Sequence, residues 1–192
     1  MKNLRNITCI TLIALCTTLF TTNVNAQSFE KGDFDLNATI GFGNAWYYGT
    51  YYHMGLPFIA VAADYGLKED WGPGVFGIGG VIGISTVKTK YSYIGADYGY
   101  KYTNFSIVPR ATYHYQFVDK LDTYAGVATG ITIRSGKEYG DYPLGAPDDS
   151  GVRFVITAFV GAKYYLTDNL AVMSEIYVYD LAIFNIGVGF KF

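Results

Sequence analysis

The chain carries two histidines, His53 and His114, and histidine is the side chain that most often acts as a general base. Together with Glu175 and a nearby hydroxyl, His114 could form a hydrolytic triad. However, no serine stands at a spacing from His114 that would suggest a catalytic triad. Ser174 points away from the face that carries Glu175. We therefore predict that the chain has no catalytic residue and is not an enzyme.

Metal and nucleotide sites are not indicated either. His53 has no second histidine or acidic cluster beside it, and Asp141, Asp148 and Asp149 lack the spacing of a calcium loop. The glycine run 77–83 lacks the G-x-G-x-x-G spacing, and no helical pattern follows it. We expect neither a metal nor a cofactor.

A further set of polar side chains is more informative, because its members stand opposite apolar residues in the middle of strand-like segments. Buried charges have to be paired or solvated by trapped water. We therefore expect these side chains to form one polar network, with facing glycines leaving room for it. The predicted network contains Asp35, Asp64, Arg110, His114, Arg134, Arg153, Lys163, Glu175 and Lys191.

The segments that carry these residues alternate with a period of two, which is typical of β-strands and not of helices. Phe34, Leu36 and Ile40, for example, alternate with Asp35 and Asn37. Eight such segments follow one another, so we predict an all-β fold, an eight-stranded antiparallel transmembrane up-and-down β-barrel. Short turns are predicted at 68–70, 119–120 and 167–169, a tight turn near 180–181, and long loops at 44–57, 88–104 and 136–150. Short turns on one side and long loops on the other are typical of outer-membrane barrels.

The first residues have the three-part pattern of a secretory signal. Lys2 and Arg5 give a positive start, a mostly apolar run follows, and Val24–Ala26 supplies small residues before the predicted cut. A membrane-spanning helix needs about 20 apolar residues, and this run is shorter and interrupted by threonines. We predict a signal peptide over 1–26 and one outer-membrane β-barrel domain over 27–192.

Removal of the signal would take both cysteines, Cys9 and Cys16, with it. The remaining domain would then have no disulfide, thiol nucleophile or cysteine-ligated metal. It would also lose two of 14 basic residues, leaving 12 against 16 acidic ones and a net charge of −4. This acidic balance does not suit nucleic acid as a partner.

Aromatic residues gather near the predicted strand ends, as expected for rings that sit at the two interfaces of a membrane. The last strand alternates up to Phe190 and Phe192. This ending resembles the signal that barrel-assembly machinery reads on bacterial outer-membrane proteins. We expect Phe190 and Phe192 to form that signal, and the machinery to be a partner during biogenesis.

These features together resemble the small eight-stranded outer-membrane barrels of the OmpA/OmpX type, over the whole predicted mature chain and without a short diagnostic motif. The resemblance implies a bacterial outer-membrane location, outer-membrane lipid as a partner, and both termini on the periplasmic side. The lumen of an eight-stranded barrel is just wide enough for side chains to fill it. The predicted polar network would therefore plug the lumen.

A plugged barrel would have a structural or surface-interaction role, with Tyr-rich extracellular loops meeting a partner outside the cell. Tyrosine offers rigid, amphipathic contact area, although the same tyrosines also suit the upper aromatic girdle. A narrow pore for small solutes or ions is the alternative, and a soluble lipocalin-like ligand-binding barrel is a third hypothesis. The candidate recognition residues are Tyr47, Tyr48, Tyr51, Tyr52, Tyr98 and Tyr100.

Overall fold

The computed structural model describes residues 29–44, 52–69, 72–93, 96–140 and 150–192, and the structural statements below concern these ranges. The predicted signal peptide lies outside them, as do Tyr47, Tyr48 and Tyr51. None of the described segments is a helix long and apolar enough to cross a bilayer. The described strands are β1 (Phe34–Asn44), β2 (Tyr52–Met54), β3 (Phe58–Lys68), β4 (Val75–Thr89), β5 (Tyr91–Tyr93), β6 (Ala96–Val118), β7 (Leu121–Tyr139), β8 (Gly151–Tyr165), β9 (Leu170–Tyr177) and β10 (Ala182–Lys191).

Eight of these strands close into a barrel, and only the short strands β2 and β5 stay outside the ring. Each barrel strand pairs antiparallel with the next one along the chain, and β4 meets β6 directly. The ring closes where Leu36 on β1 pairs with Phe190 on β10. Closure leaves the barrel strands no free edge. The predicted fold class, an eight-stranded antiparallel up-and-down barrel, is confirmed.

The connections define two ends of the barrel, which we call the turn end and the loop end. The turn end carries the β3–β4, β6–β7 and β8–β9 connections, where the three short turns were predicted. The β6–β7 turn consists of Asp119 and Lys120 alone, and Lys120 has a φ of 65°. A left-handed residue of this kind matches the twist that a tight hairpin imposes on its strands.

Two of the long loops predicted for the other end, 88–104 and 136–150, are wrong in extent. Strand β4 continues to Thr89, β6 begins at Ala96 and β7 continues to Tyr139, so pairing extends well into both segments. Tyrosine and threonine favour strands, and each strand residue gains a partner on the neighbouring strand. The described part of the loop end therefore consists largely of sheet that continues from the barrel wall.

The predicted faces are confirmed, with an apolar surface turned outward. We call this surface the apolar belt, and on β8 its members Phe154 and Ile156 are 72% and 70% exposed. A continuous exposed apolar surface is unfavourable in water and is the normal outer surface of a barrel in lipid. Further members of the apolar belt are Leu36, Ile40, Ile59, Val61, Ile78, Ile82, Ile107, Val127, Val160, Val172, Ile176, Ile186 and Val188.

Candidate functional site

The middle of the lumen holds an arginine between two carboxylates, which we call the central cluster. Arg110 on β6 forms an ion pair with Asp64 on β3 and donates from Nε to Asp64 Oδ1 at 2.7 Å. It also donates from Nη1 to Glu175 Oε1 on β9 at 2.9 Å. The hydroxyls of Tyr124 and Tyr177 donate to the two oxygens of Glu175 at 2.8 and 3.0 Å. The charged groups are thus both paired and hydrogen-bonded, as burial of charge requires.

Two more charged or polar pairs lie toward the turn end. Lys163 on β8 forms an ion pair with Asp35 on β1. His114 Nδ1 lies within hydrogen-bond distance of Asp122 Oδ2, at 2.7 Å. Phe29, which precedes β1, inserts its ring at this end, 4.1 Å from the ring of His114, and is 1% exposed. The turn end of the lumen is therefore filled by side chains from β1, β6, β7 and β8 and by this one residue ahead of the barrel.

His114 has the hydrogen-bond pattern of a catalytic base but not its access. Its Nε2 lies 3.1 Å from Thr112 Oγ1, on the opposite side of the ring from Asp122. A nucleophile, a base and an orienting carboxylate would be arranged in this order. Thr112 is 1% exposed, however, and the His114 ring lies against the rings of Phe29 and Tyr124. A substrate cannot reach the hydroxyl in this packing, so the three residues have a structural role here.

Most of the predicted polar network is brought together in this half of the lumen. Lys191, for example, lies with Nζ 3.4 Å from Asp33 Oδ2 near the turn end. The predicted network did not include Asp122, Tyr124, Tyr177 or Phe29. The predicted residues that lie here are Asp35, Asp64, Arg110, His114, Lys163, Glu175 and Lys191, all at most 7% exposed.

Toward the loop end the lumen becomes apolar, in a zone that we call the apolar layer. Phe58, Val108, Val155 and Phe159 point inward and are at most 7% exposed. The Phe159 ring centroid lies 5.3 Å from the Arg110 guanidinium carbon, so the apolar layer rests directly on the central cluster. The prediction that polar side chains plug the lumen therefore describes only part of the plug.

Glycines on the lumen wall make room for aromatic rings on the next strand. Across β7 and β8, Tyr124 pairs with Gly161 and Gly126 pairs with Phe159. A Cβ on Gly161 would lie 2.3 Å from the Tyr124 ring, and one on Gly126 would lie 2.6 Å from the Phe159 ring. Only glycine leaves the space that these rings occupy, which explains why an interior so rich in glycine is nevertheless filled.

A cavity of about 270 Å³ opens beyond the apolar layer, and we call it the loop-end cavity. Arg134 and Arg153 line it and are only half-buried. Both arginines of the predicted polar network thus lie at this cavity and not in the central cluster around Arg110. Arg134 donates from Nε to Asn104 Oδ1 at 3.4 Å. Other residues that line the cavity are Tyr52, Met54, Leu56, Phe58, Ser85, Ser106, Thr132, Val155, Asp180 and Leu181.

The tyrosines predicted for recognition have different positions. Tyr52 lines the loop-end cavity and is 37% exposed, and Tyr98 stacks on Tyr91 with ring centroids 5.7 Å apart. Tyr100 is only 6% exposed, and its hydroxyl donates to Glu138 Oε1 at 2.6 Å. Tyr100 is therefore a packing residue of the sheet at the loop end, and does not present the surface that we predicted.

No group of three or more histidine, cysteine, aspartate or glutamate side chains that could hold a metal ion occurs among the described residues. The carboxylates of the lumen are instead occupied by arginine, lysine, histidine and tyrosine. The loop-end cavity, in contrast, remains open to a ligand.

Comparisons with known proteins support the fold. No protein-family model matches the chain, and a comparison with curated proteins found no significant match. Among solved structures, the chain resembles Ail, the attachment invasion locus protein of Yersinia pestis, in complex with the heparin analogue sucrose octasulfate. The identity is 12% and the TM-score 0.50, over 84% of this chain and 99% of the Ail chain.

Two further structures give lower scores. A second structure of Ail has 8% identity and a TM-score of 0.49, over 84% of this chain and 99% of that chain. The N-terminal β-barrel domain of Pseudomonas aeruginosa OprF has 16% identity and a TM-score of 0.45, over 84% of this chain and 98% of that chain. At such identities the likeness concerns the fold alone. The chain thus has the fold of the small eight-stranded outer-membrane barrels of the OmpA/OmpX type.

Proposed function

We propose that this protein is integral to the bacterial outer membrane, with its turn end in the periplasm and its loop end outside the cell. The apolar belt supports this proposal, because it is continuous around the barrel and would meet outer-membrane lipid. A soluble lipocalin-like barrel would instead expose the belt to water and keep charges out of its interior. The apolar belt and the buried central cluster both argue against that hypothesis.

We infer a structural or surface-interaction role and not a pore. The observation that carries this inference is the continuous filling of the lumen. Phe29 and the His114 pair fill the turn end, the central cluster fills the middle, and the apolar layer around Phe58 lies above it. An ion would have to displace buried, mutually paired charges and then cross an apolar zone, and both steps are costly.

The loop-end cavity is the described surface best placed for recognition outside the cell. It combines Tyr52 and Met54 at its rim with Arg134 and Arg153 on its walls. Rigid aromatic area next to cationic groups is a common composition of interaction surfaces. The likeness in fold to Ail, the attachment invasion locus protein, supports a role at the cell surface.

Phe190 and Phe192 remain our proposed barrel-assembly signal, with the assembly machinery as a transient partner. Both rings point outward, 44% and 66% exposed, and their centroids lie 4.8 Å apart. Phe192 N also donates to Phe34 O at 2.9 Å, at the point where the barrel closes. This position supports a role for the last strand in closing the ring during assembly.

Cysteine labelling on intact cells tests the location. The only native cysteines, Cys9 and Cys16, lie in the predicted signal, so a single new cysteine would be unique after export. We expect Met54→Cys, at a loop-end residue that is 53% exposed, to react with a membrane-impermeant maleimide. The matched variant Lys120→Cys, in the β6–β7 turn, should react only after the outer membrane is permeabilised. Equal labelling of both variants, or labelling of Lys120→Cys alone, would contradict the proposed orientation.

Planar-bilayer conductance of the detergent-refolded protein tests the sealed lumen, with a heat-dependent gel shift to show folding. We expect no discrete conductance steps from the wild type. Phe29→Ala should also show no conductance steps, because the central cluster and the apolar layer remain in place. Phe154→Ala, at an outward ring of the apolar belt, is its matched control. Steps from the folded wild type, with a selectivity that changes in Arg110→Ala, would establish the narrow pore instead.

A further inference from the structure

Three parallel rows of side chains cross the outward face of β4, β6 and β7 toward the loop end. Residues that pair across neighbouring strands point to the same side of a sheet, so the two strand registers define each row. The face changes along the strands from apolar to hydroxyl-bearing to cationic. In that order the rows are Ile84–Phe105–Ile133, Thr86–Thr103–Ser135 and Lys88–Lys101–Lys137. Thr86 is only 9% exposed and its Oγ1 accepts from Leu56 N at 2.7 Å, so Thr103 and Ser135 carry the accessible hydroxyls of the middle row.

The last of these, which we call the lysine row, places three ammonium groups side by side. Neighbouring strands lie about 4.8 Å apart, so the backbone positions of Lys88, Lys101 and Lys137 span about 10 Å. All three lysines are exposed. His53 on β2 pairs with Lys88 and lengthens the row by one strand.

The lysine row is not neutralised by the described part of the chain. The nearest carboxylate along β7, that of Glu138, lies on the opposite face and accepts the hydroxyl proton of Tyr100. Like charges directly opposite each other destabilise a sheet, so the row favours an anion from outside the chain. Arg110, His114, Lys163 and Lys191 form ion pairs with described carboxylates, and none of these pairs includes a member of the lysine row.

We propose that the lysine row binds the phosphates of a multiply phosphorylated glycolipid in the outer leaflet of the membrane. This inference rests on the proposed function, because it requires the apolar belt to lie in lipid and the loop end to face outside. The three rows then follow the layers of such a lipid. Acyl chains lie against the row of Phe105, sugar hydroxyls against Thr103 and Ser135, and phosphates against Lys101 and its neighbours.

The length of the lysine row selects the headgroup. A row of about 10 Å is longer than one phosphate, so a headgroup with two or more phosphates on a sugar fits it better than a simple phospholipid. A soluble anionic polymer would use the lysine row alone and would not contact the apolar row or the hydroxyls of Thr103 and Ser135 beneath it. The continuity of the three rows with the apolar belt therefore favours a lipid.

The test uses the full refolded barrel in phosphatidylcholine nanodiscs doped with bisphosphorylated lipid A, or with the same lipid after removal of both phosphates. Native mass spectrometry of the released barrel measures how much of each lipid stays bound. The variant Lys88→Gln/Lys101→Gln/Lys137→Gln removes the lysine row. The matched control, Lys31→Gln/Lys68→Gln/Lys120→Gln, removes the same charge at the turn end. A heat-dependent gel shift shows folding of every variant.

We expect the wild type and the turn-end control to retain the bisphosphorylated lipid in preference to its dephosphorylated form. Each lysine near an anionic lipid surface contributes about 5-fold in affinity, so the lysine-row variant should bind on the order of 100-fold more weakly. High salt should weaken wild-type binding in the same direction. An inserted barrel that retains both lipid forms equally, or a lysine-row variant that binds like the wild type, overturns this inference alone. A chain that stays soluble without detergent and does not insert overturns the proposed function as well.

Discussion

Positively charged side chains have different environments in the two halves of the lumen. In the half nearer the turn end, Arg110 and Lys163 are 4% and 1% exposed, and each is paired with a carboxylate. In the half nearer the loop end, Arg134 and Arg153 are half-buried on the walls of a cavity of about 270 Å³. The apolar layer separates the two environments.

This difference indicates which half is available for function. A buried charge without a partner is very costly, so every cation of the packed half is committed to a carboxylate and holds strands together. A cation beside an open cavity is not constrained in this way and can exchange its contacts for those of a ligand. We therefore expect substitutions in the packed half to affect stability, and substitutions at the loop end to affect interactions.

The largest expected effect is that of Arg110→Ala. The substitution leaves Asp64 and Glu175 buried without their cation, and breaking a buried pair in this way typically costs about 3–5 kcal/mol. Urea unfolding in lipid vesicles, followed by the heat-dependent gel shift, measures the loss. The matched variant Arg134→Ala, at the loop-end cavity, should cost less than about 1 kcal/mol, as is usual for a solvent-screened charge. Equal losses in the two variants would show that both arginines belong to one buried network.

The sequence was sufficient to predict the inward or outward position of a residue, but not its partner. Alternation with a period of two is local, so it correctly placed Asp64, Arg110 and Glu175 on the inner face. Which inward residues meet depends on strand tilt and on register across the ring. Asp64 and Arg110 are 46 residues apart, and no local pattern contains that information. For the same reason alternation could not separate Arg134 and Arg153 from the central cluster.

Some of the missed residues did have a signal in the sequence. Counting back from Gly126 in steps of two reaches Tyr124 and Asp122, both on the inner face of β7. The apolar inward residues, such as Phe159, had a weaker signal because polar and apolar side chains share the inner face of β8. Phe29 had none, because it precedes β1 and belongs to no alternating segment. Tertiary packing alone places its ring in the lumen.

A smaller loss of stability is expected when a single methyl group is added in the packed half, and it tests how tightly that half is packed. In Gly161→Ala the new Cβ would lie 2.3 Å from the Tyr124 ring, so the ring must shift and its hydroxyl bond to Glu175 must weaken. Overpacking of this kind typically costs about 1–3 kcal/mol. Gly151→Ala is the matched control on the same strand, since a Cβ there meets no atom within 4 Å. The same unfolding assay should show a loss in Gly161→Ala and almost none in Gly151→Ala. An unchanged stability in Gly161→Ala would mean that the Tyr124 ring has free space around it, and that the packed half is looser than these contacts indicate.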